Sequence, residues 1–270
     1  MAFPKSPSAS YNGTMRDART IAITRAVPAS IADCELTFQS RVPIDIGRAR
    51  GQHAEYQRVL TKLGCEIIEL PEAPDMPDSV FVEDAAVVFD ELAIITRPGA
   101  VSRRAEIPSV RAALTRYRPL HEITDPGTLD GGDVLRLGRR VFVGLSTRTN
   151  EAAVSQMRNI LSAYDYDVVA VNVRGTLHLK SVATAIGDDL VVVDTSAVDA
   201  GIFAARYIEV AAAAANMLRV NGTVLAPATA AAVLPRLEAE GLSVELLDNS
   251  ELAKAEGALT CCSLIFREND

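Results

Sequence analysis

One pattern recurs along this chain and limits what it can fold into: two short strands, a helix, then a third strand. "RARGQHAEYQRVLTKLG" carries apolar residues at helical spacing and is followed by the strand "CEIIELP". "SVRAALTRY" precedes "RPLHEIT", "NEAAVSQMRNILSAYD" precedes "YDVVAVNV", and "TAAAVLPRLEAEG" precedes "LSVELLD". A shorter helix is expected near Ala197–Ala205, before "RYIEVAA". Hairpin pairs separate these units: "VFVEDAAVVFD/ELAIITRP", "GDVLRLG/RRVFVGLS", "TAIG/DDLVVVDTS" and "NMLRV-NG-TVLAP". Asn221-Gly222 in the last pair is a strong two-residue hairpin signal. The unit appears about five times at a loose period of about 35–55 residues, which implies a closed array of modules. A doubly wound sheet would instead need a Gly-rich turn between strand and helix, and "LDGGDVL" leads into a strand. The alanine run Val210–Ala215 reads as a packed strand or short helix.

Composition narrows the function. The 270 residues suffice for a sizeable core, and no linker divides them after a polar tail over residues 1–18. That tail lacks the apolar stretch of a signal peptide, and no run reaches the roughly 18 apolar residues of a membrane span. A net charge of −8 argues against nucleic acid and suits a cationic ligand. The four cysteines and three histidines show no disulfide framework and no metal-ligand spacing. A reduced cytoplasmic protein without a structural metal is expected.

Three groups of residues could carry chemistry. Cys261 and Cys262 lie side by side in "GALTCCSLIF", which reads as a buried strand. A buried cysteine there commonly serves as a small hydrophobe. On a strand, neighbouring side chains face opposite ways, so at most one thiol can face a given pocket. His178 follows a glycine turn in "GTLHLKS", and Asp130 and Asp133 flank two glycines in "LDGGDVL". Thiol, imidazole and carboxylate are the parts of an activated nucleophile. Asp78, Glu83 and Asp84 cluster in the otherwise apolar "DSVFVEDAAVVF", where burial would be costly without a cation. A planar guanidinium would serve, since carboxylates bind it in bidentate fashion. Arg103, Arg104 and Arg148 are candidates to hold a carboxylate.

Taken in order, "FVEDAAVV", "ITRPGAVSRR", "LDGGDVL", "VGLSTRTN", "LHLKS", "NGTVL" and "GALTCCSLIF" resemble the dimethylarginine dimethylaminohydrolase family of the guanidino-group-modifying pentein superfamily. The resemblance covers nearly the whole chain after the tail. It implies a five-bladed α/β propeller of ββαβ modules over 19–270, which agrees with the count of units. It implies hydrolysis of Nω,Nω-dimethyl-L-arginine and Nω-methyl-L-arginine to citrulline, with Cys261 as nucleophile, His178 as general acid and base, and Asp130 as its carboxylate partner. Asp84 with Glu83 would clamp the guanidinium, Asp78 would contact the polar end of the amino acid, and Phe81 would wall the pocket. Arg103 and Arg148 would bind the α-carboxylate, Val27 would belong to a lid, and Ala255 would offer a backbone contact. Cys261 would then face the pocket and Cys262 the other side. The implied reaction needs neither metal nor organic cofactor, and the expected partner is a small methylated arginine, with no nucleic acid and no membrane; the family suggests a homodimer. Two alternatives stay open: an arginine deiminase, against which stands Glu83 where deiminases carry Arg, and a catalytically silent binding protein of this fold. The sequence names no fixed cation beside Asp84, so neutralising Asp84 is expected to leave the empty fold unharmed.

Overall fold

The computed structural model describes residues 19–268; the tail expected over residues 1–18 lies outside them. Module I contains β1 (Thr20–Arg25), α1 (Ile46–Lys62) and β2 (Cys65–Leu70). Module II follows with β3 (Ala86–Val88), β4 (Ala93–Ile95), α2 (Ile107–Leu114) and β5 (Leu120–Glu122). Module III has β6 (Val134–Leu137), β7 (Arg140–Leu145), α3 (Glu151–Leu161) and β8 (Asp167–Asn172). Module IV has β9 (Ala183–Ala185), β10 (Leu190–Val193) and β11 (Arg206–Glu209), with only a 3-10 turn, Ala200–Phe203, where a helix was expected. Module V opens with α4 (Ala212–Ala215), which settles the alanine run as a short helix. It continues through β12 (Leu218–Val220), β13 (Thr223–Pro227), α5 (Leu234–Ala239) and β14 (Ser243–Leu247). A last helix α6 (Ser250–Ala253) and strand β15 (Leu264–Arg267) end the chain.

These strands form five three-stranded sheets. In each, the central strand is antiparallel to the first and parallel to the third, as a hairpin followed by a helical crossover requires. Module I takes its first strand from the far end of the sequence. β15 lies antiparallel to β1, with Ile23 opposite Leu264, while β2 lies parallel on the other side. The two ends of the described chain therefore complete one sheet, and the array closes as a five-module α/β propeller.

Local chemistry sets the elements. Asp45 caps α1 by accepting from the Arg48 amide at 3.0 Å, and Asn150 caps α3 by accepting from Ala153 at 3.0 Å. The buried face of α1, Ala49, His53, Tyr56, Val59 and Leu60, follows helical spacing. Asn221 and Gly222 both have positive φ, 45° and 91°, as the tight turn between β12 and β13 demands. The central strands β1 and β10 are buried at every residue because both faces are covered. Apolar side chains gather into clusters that each bridge two modules. One joins Ile21 and Ile23 to Ile95 and Leu114, another Phe89 and Leu92 to Val154 and Met157. Another joins Phe142 to Val193 and Phe203, another Val192 to Val224, and one brings module V back to Tyr56 and Val59. The five first strands surround an axial cavity of about 230 Å³. Among the described residues, no helix is long and apolar enough to cross a membrane.

Candidate active site

Four of the five first strands are entered through a 3-10 turn, and these turns hold the chemistry. They are Val82–Ala85 before β3, Gly131–Asp133 before β6, Leu179–Ser181 before β9 and Thr260–Cys262 before β15. The sequence reading made "VEDAAVV" and "TCCSLIF" continuous strand; the first half of each is a turn. A buried 3-10 turn has the same apolar composition as a buried strand, and only its hydrogen bonds distinguish the two. Cys261 and Cys262 thus diverge by the rotation of a 3-10 turn rather than by strand alternation. Cys261 lines the pocket at one end of the axis; the Cys262 thiol lies 3.4 Å from the Ala258 carbonyl, within the core.

His178 immediately precedes its turn. Its Nε2 is 3.1 Å from Asp130 Oδ2, and its Nδ1 is 3.9 Å from Asp84 Oδ1. Asp130 is wholly buried and also accepts from the Gly99 amide at 2.9 Å. Asp133 holds the backbone next to this histidine, accepting from Ser146 Oγ at 2.6 Å and the Leu179 amide at 2.9 Å. Gly132 is required for close approach: a Cβ there would meet His178 Nδ1 at 2.5 Å. The ligand atoms of Asp84, Asp130 and His178 lie within 4.8 Å of one another, close enough to share a cation. A metal would have to displace the His178–Asp130 contact and share Asp84 with Arg103.

Arg103 corrects two expectations. Its Nη1 is 2.5 Å from Asp84 Oδ2, so Asp84 does have a fixed cation. Its Nε and Nη2 donate to both oxygens of Glu106, at 3.1 and 3.0 Å, and Nη2 also meets the carbonyls of Asp78 and Phe81. A guanidinium has five N–H donors, so at most one Nη1 hydrogen is left for a substrate carboxylate. Asp84 Oδ1 accepts from the Gly132 amide at 2.9 Å and faces the imidazole. Glu83, expected to join Asp84 on the guanidinium, turns the other way. Lys180 Nζ reaches its Oε1 at 2.5 Å and Thr260 Oγ1 donates to Oε2 at 2.8 Å, and Glu83 lines the axial cavity rather than the pocket. Asn216 ties this floor together: its Nδ2 donates to the Lys180 carbonyl and to Thr260 Oγ1, and its Oδ1 accepts from the Thr260 amide.

The rim holds Asp78, Phe81, Arg148 and Ala255, as expected, together with Glu35, Leu177, Glu256 and Gly257, which the sequence reading missed. Asp78 accepts from the Glu35 amide at 3.1 Å. Arg148 Nη2 donates to Thr37 Oγ1 at 3.1 Å and Nη1 stands 4.0 Å from Asp130. Arg104 turns away and donates to the Pro98 carbonyl. Val27 is not among the lining residues. Its side chain is in the core and its carbonyl accepts from Arg50 Nε at 3.1 Å, whereas Glu35, further along the same connection, does line the pocket.

Charge in the pocket is finely opposed. Burial raises the Cys261 thiol well above its ordinary range, and Glu83 and Asp84 add to this. Burial works against a charged His178, but Asp84, Asp130 and Asp133 outweigh it and lift its pKa to about 9. Burial also resists the Asp84 anion, yet His178 and Arg103 hold its pKa below the usual carboxylate range. Asp133 is raised to about 6 by burial, partly offset by His178 and its hydrogen bonds. The empty site therefore presents a neutral thiol, an imidazolium and an Asp84 anion at neutral pH.

A thiol and a histidine–aspartate pair at the axis of five three-stranded modules give the chain the architecture of the pentein fold, and comparison with known proteins makes it a hydrolase of that fold. The family described as N,N dimethylarginine dimethylhydrolase, eukaryotic, matches residues 29–211. The N(G),N(G)-dimethylarginine dimethylaminohydrolase of Streptomyces coelicolor is 40% identical over 250 residues, covering 92% of this chain and 97% of its own. A structure of the Pseudomonas aeruginosa dimethylarginine dimethylaminohydrolase complexed with citrulline superposes with a TM-score of 0.87 at 31% identity, over 92% of this chain and 99% of that one. The N-terminal domain of the cyanobacterial arginine dihydrolase ArgZ shares the fold at a TM-score of 0.82 and 19% identity, covering 91% of this chain and 97% of its own. The chain belongs to the dimethylarginine dimethylaminohydrolase family.

Two outcomes follow from the charges. Asp84→Asn breaks a buried ion pair, so it should lower stability by about 3 kcal/mol as well as activity by roughly 100-fold or more. Denaturant unfolding of the ligand-free protein checks the first; an unchanged midpoint would mean Glu106 alone satisfies Arg103. The second concerns pH. A base whose pKa is raised from 6.5 to about 9 on folding stabilises fully below pH 6.5 and loses that contribution as pH rises through 9. The melting temperature of the free protein should fall across this window, and the fall should be shallower in His178→Gln.

Proposed function

We propose that this hydrolase converts Nω,Nω-dimethyl-L-arginine and Nω-methyl-L-arginine to L-citrulline, releasing dimethylamine or methylamine. The observation that carries the reading is a buried anion, Asp84, held beside a thiol and a protonated histidine. Such an anion suits a substrate cation at the reacting group. Support also comes from the activity for which the Streptomyces relative is named and from the citrulline in the Pseudomonas structure. A further structure of 32% identity and TM-score 0.87 is an adduct with S-methyl-L-thiocitrulline.

In this reading the guanidinium carbon lies over Cys261 with its nitrogens toward Asp84. With the substrate cation against Asp84, Cys261 gives up its thiol proton to solvent, and the thiolate sulfur adds to that carbon, forming a C–S bond. His178 donates its proton to the methylated nitrogen, and the C–N bond breaks to release the amine. A thiouronium on Cys261 remains. Water enters where the amine left, His178 takes one of its protons, and the hydroxide adds to the same carbon. The C–S bond breaks, the ureido oxygen of citrulline forms, and the thiol is restored. Asp130 and Asp133 keep the imidazole turned toward the reacting atoms. At the other end of the substrate, Arg148 takes the α-carboxylate, with at most one N–H from Arg103, and Asp78 takes the α-ammonium. Phe81 and the Ala255 backbone close the sides. A reducing setting such as the cytoplasm suits a nucleophile that must remain a thiol.

The direct test is citrulline formation over a panel of dimethylarginine, methylarginine, arginine and methylated agmatine. Turnover of arginine in preference to the methylated forms would replace this reading with a deiminase. In the same assay Cys261→Ser should abolish turnover while Cys262→Ser keeps most of it. The Cys262 thiol is pushed up to about 12 by burial and Glu83, and sits away from the pocket. Equal loss in both, with folding intact, would assign the wrong sulfur. Arg148→Ala should weaken transition-state binding by about 2–4 kcal/mol and narrow the preference over methylated agmatine. An unchanged preference would remove Arg148 from the carboxylate contact.

A further inference from the structure

The pocket over Cys261 holds only about 20 Å³. A single water needs about 10–15 Å³, whereas sites for small organic ligands occupy roughly 300 Å³ or more. Glu35 lines the pocket, and the segment 35–39 is hydrogen-bonded to three other lining residues, Asp78, Arg148 and Glu256; this segment has no regular secondary structure and is exposed at every residue but Leu36. This strap is tied down around the mouth by few groups. Asp78 accepts from the Glu35 amide, Ser102 Oγ donates to Glu35 Oε1 at 2.6 Å, and Arg148 donates to Thr37 Oγ1. The remaining ties go to one side chain. Glu256 accepts from three successive amides, Thr37 at 3.0 Å, Phe38 at 2.6 Å and Gln39 at 2.7 Å. Successive amides turned toward one point form an anion-binding concavity, here filled by a carboxylate of the protein itself.

A second observation concerns the Glu256 backbone. Its φ is +56°, in the left-handed region that glycine or asparagine ordinarily fills. The chain thus holds an ill-suited residue type at a strained turn, between Ala255 and Gly257 of the pocket wall and close before Cys261. Strain of this kind persists where the side chain has a use. We infer that Glu256 is a positioning residue: its carboxylate latches the 35–39 strap over the site, and release of this latch admits substrate. The latch acts on binding through Thr37, because the strap that Glu256 fixes is the one that orients Arg148. Glu256 touches none of the reacting atoms.

The inference rests on the hydrolase reading for its effect on turnover, but its first test needs no substrate. In ligand-free enzyme, Cys261 is alkylated with iodoacetamide and the modified sulfur is located by tandem mass spectrometry. Glu256→Gly removes the latch and suits the left-handed backbone. Labelling of Cys261 should quicken roughly tenfold, amide hydrogen exchange at 37–39 should quicken with it, and the melting temperature should hold or rise. Glu256→Gln, with one acceptor and no charge, should move both rates the same way by less. With dimethylarginine, Glu256→Gly should raise KM about tenfold and change kcat less than threefold. Native labelling and exchange rates in both variants would overturn the latch, whatever the melting temperature does. Faster labelling in an enzyme inactive on dimethylarginine would keep the latch and sink the substrate reading instead.

Discussion

The buried guanidinium of Arg103 is the interaction on which the site depends. Taking a guanidinium out of water is costly, and it survives here because Asp84, Glu106 and two carbonyls satisfy it. Those partners come from different places: the turn before β3, the start of α2, and the loop that carries Asp78 and Phe81. One cation therefore fixes three parts of the wall. It also divides the labour of Asp84. Oδ2 is spent on Arg103, which leaves Oδ1 to accept from Gly132 and to face His178. Without Arg103, Asp78, Asp84 and Glu106 would repel one another in a site with little water to separate them.

The propeller explains why these groups meet at all. Each module enters its innermost strand at the same end of the axis, so five entry segments converge there. One supplies Asp84, one Asp130 and Asp133, one His178 and one Cys261, while the fifth supplies Asn216 to brace Thr260 and Lys180. Equivalent backbone positions carry different chemistry. Their spacing is set by apolar clusters shared between neighbouring modules, so a site residue is positioned by packing far from itself. Closure by β15 matters most, because that strand begins just after the turn that carries Cys261 and pairs with β1 at the start of the described chain.

Hairpins and crossovers were legible because their signals are local: Asn221-Gly222, alternating strands, and helices with one apolar face. The partner of β1 was not, since it comes from the opposite end of the chain and leaves no mark in either segment. The turns at Val82–Ala85 and Thr260–Cys262 read as strand because buried turns and buried strands share a composition. The kinds of residue needed at the site were visible, but their pairings were not. Nothing in "SRRAE" says that Arg103 will spend its donors on Glu106 and Asp84, nor does "VED" say that Glu83 and Asp84 will face opposite cavities. Glu256 gave no signal, because its positive φ and its amide partners some 220 residues away exist only in the folded chain.

The same charges that make the empty site unreactive make it ready for a cation. Cys261 stays protonated because it is buried and because Glu83 and Asp84 oppose a second anion. His178 stays charged chiefly because Asp84 and Asp130 favour it. A guanidinium placed against Asp84 weakens both effects together. It screens the anion that holds the thiol's proton, and it competes for the carboxylate that stabilises the imidazolium. In the proposed reaction the thiolate becomes accessible only with the electrophile in place, while the histidine becomes a better acid at the moment a leaving nitrogen needs its proton. A cysteine kept neutral between turnovers is also poorly reactive toward oxidants and alkylating agents, which attack the thiolate. Net negative charge around a thiol proposed as a nucleophile looks unfavourable for catalysis when the pocket is empty. It becomes the source of selectivity once the substrate must itself supply the missing positive charge.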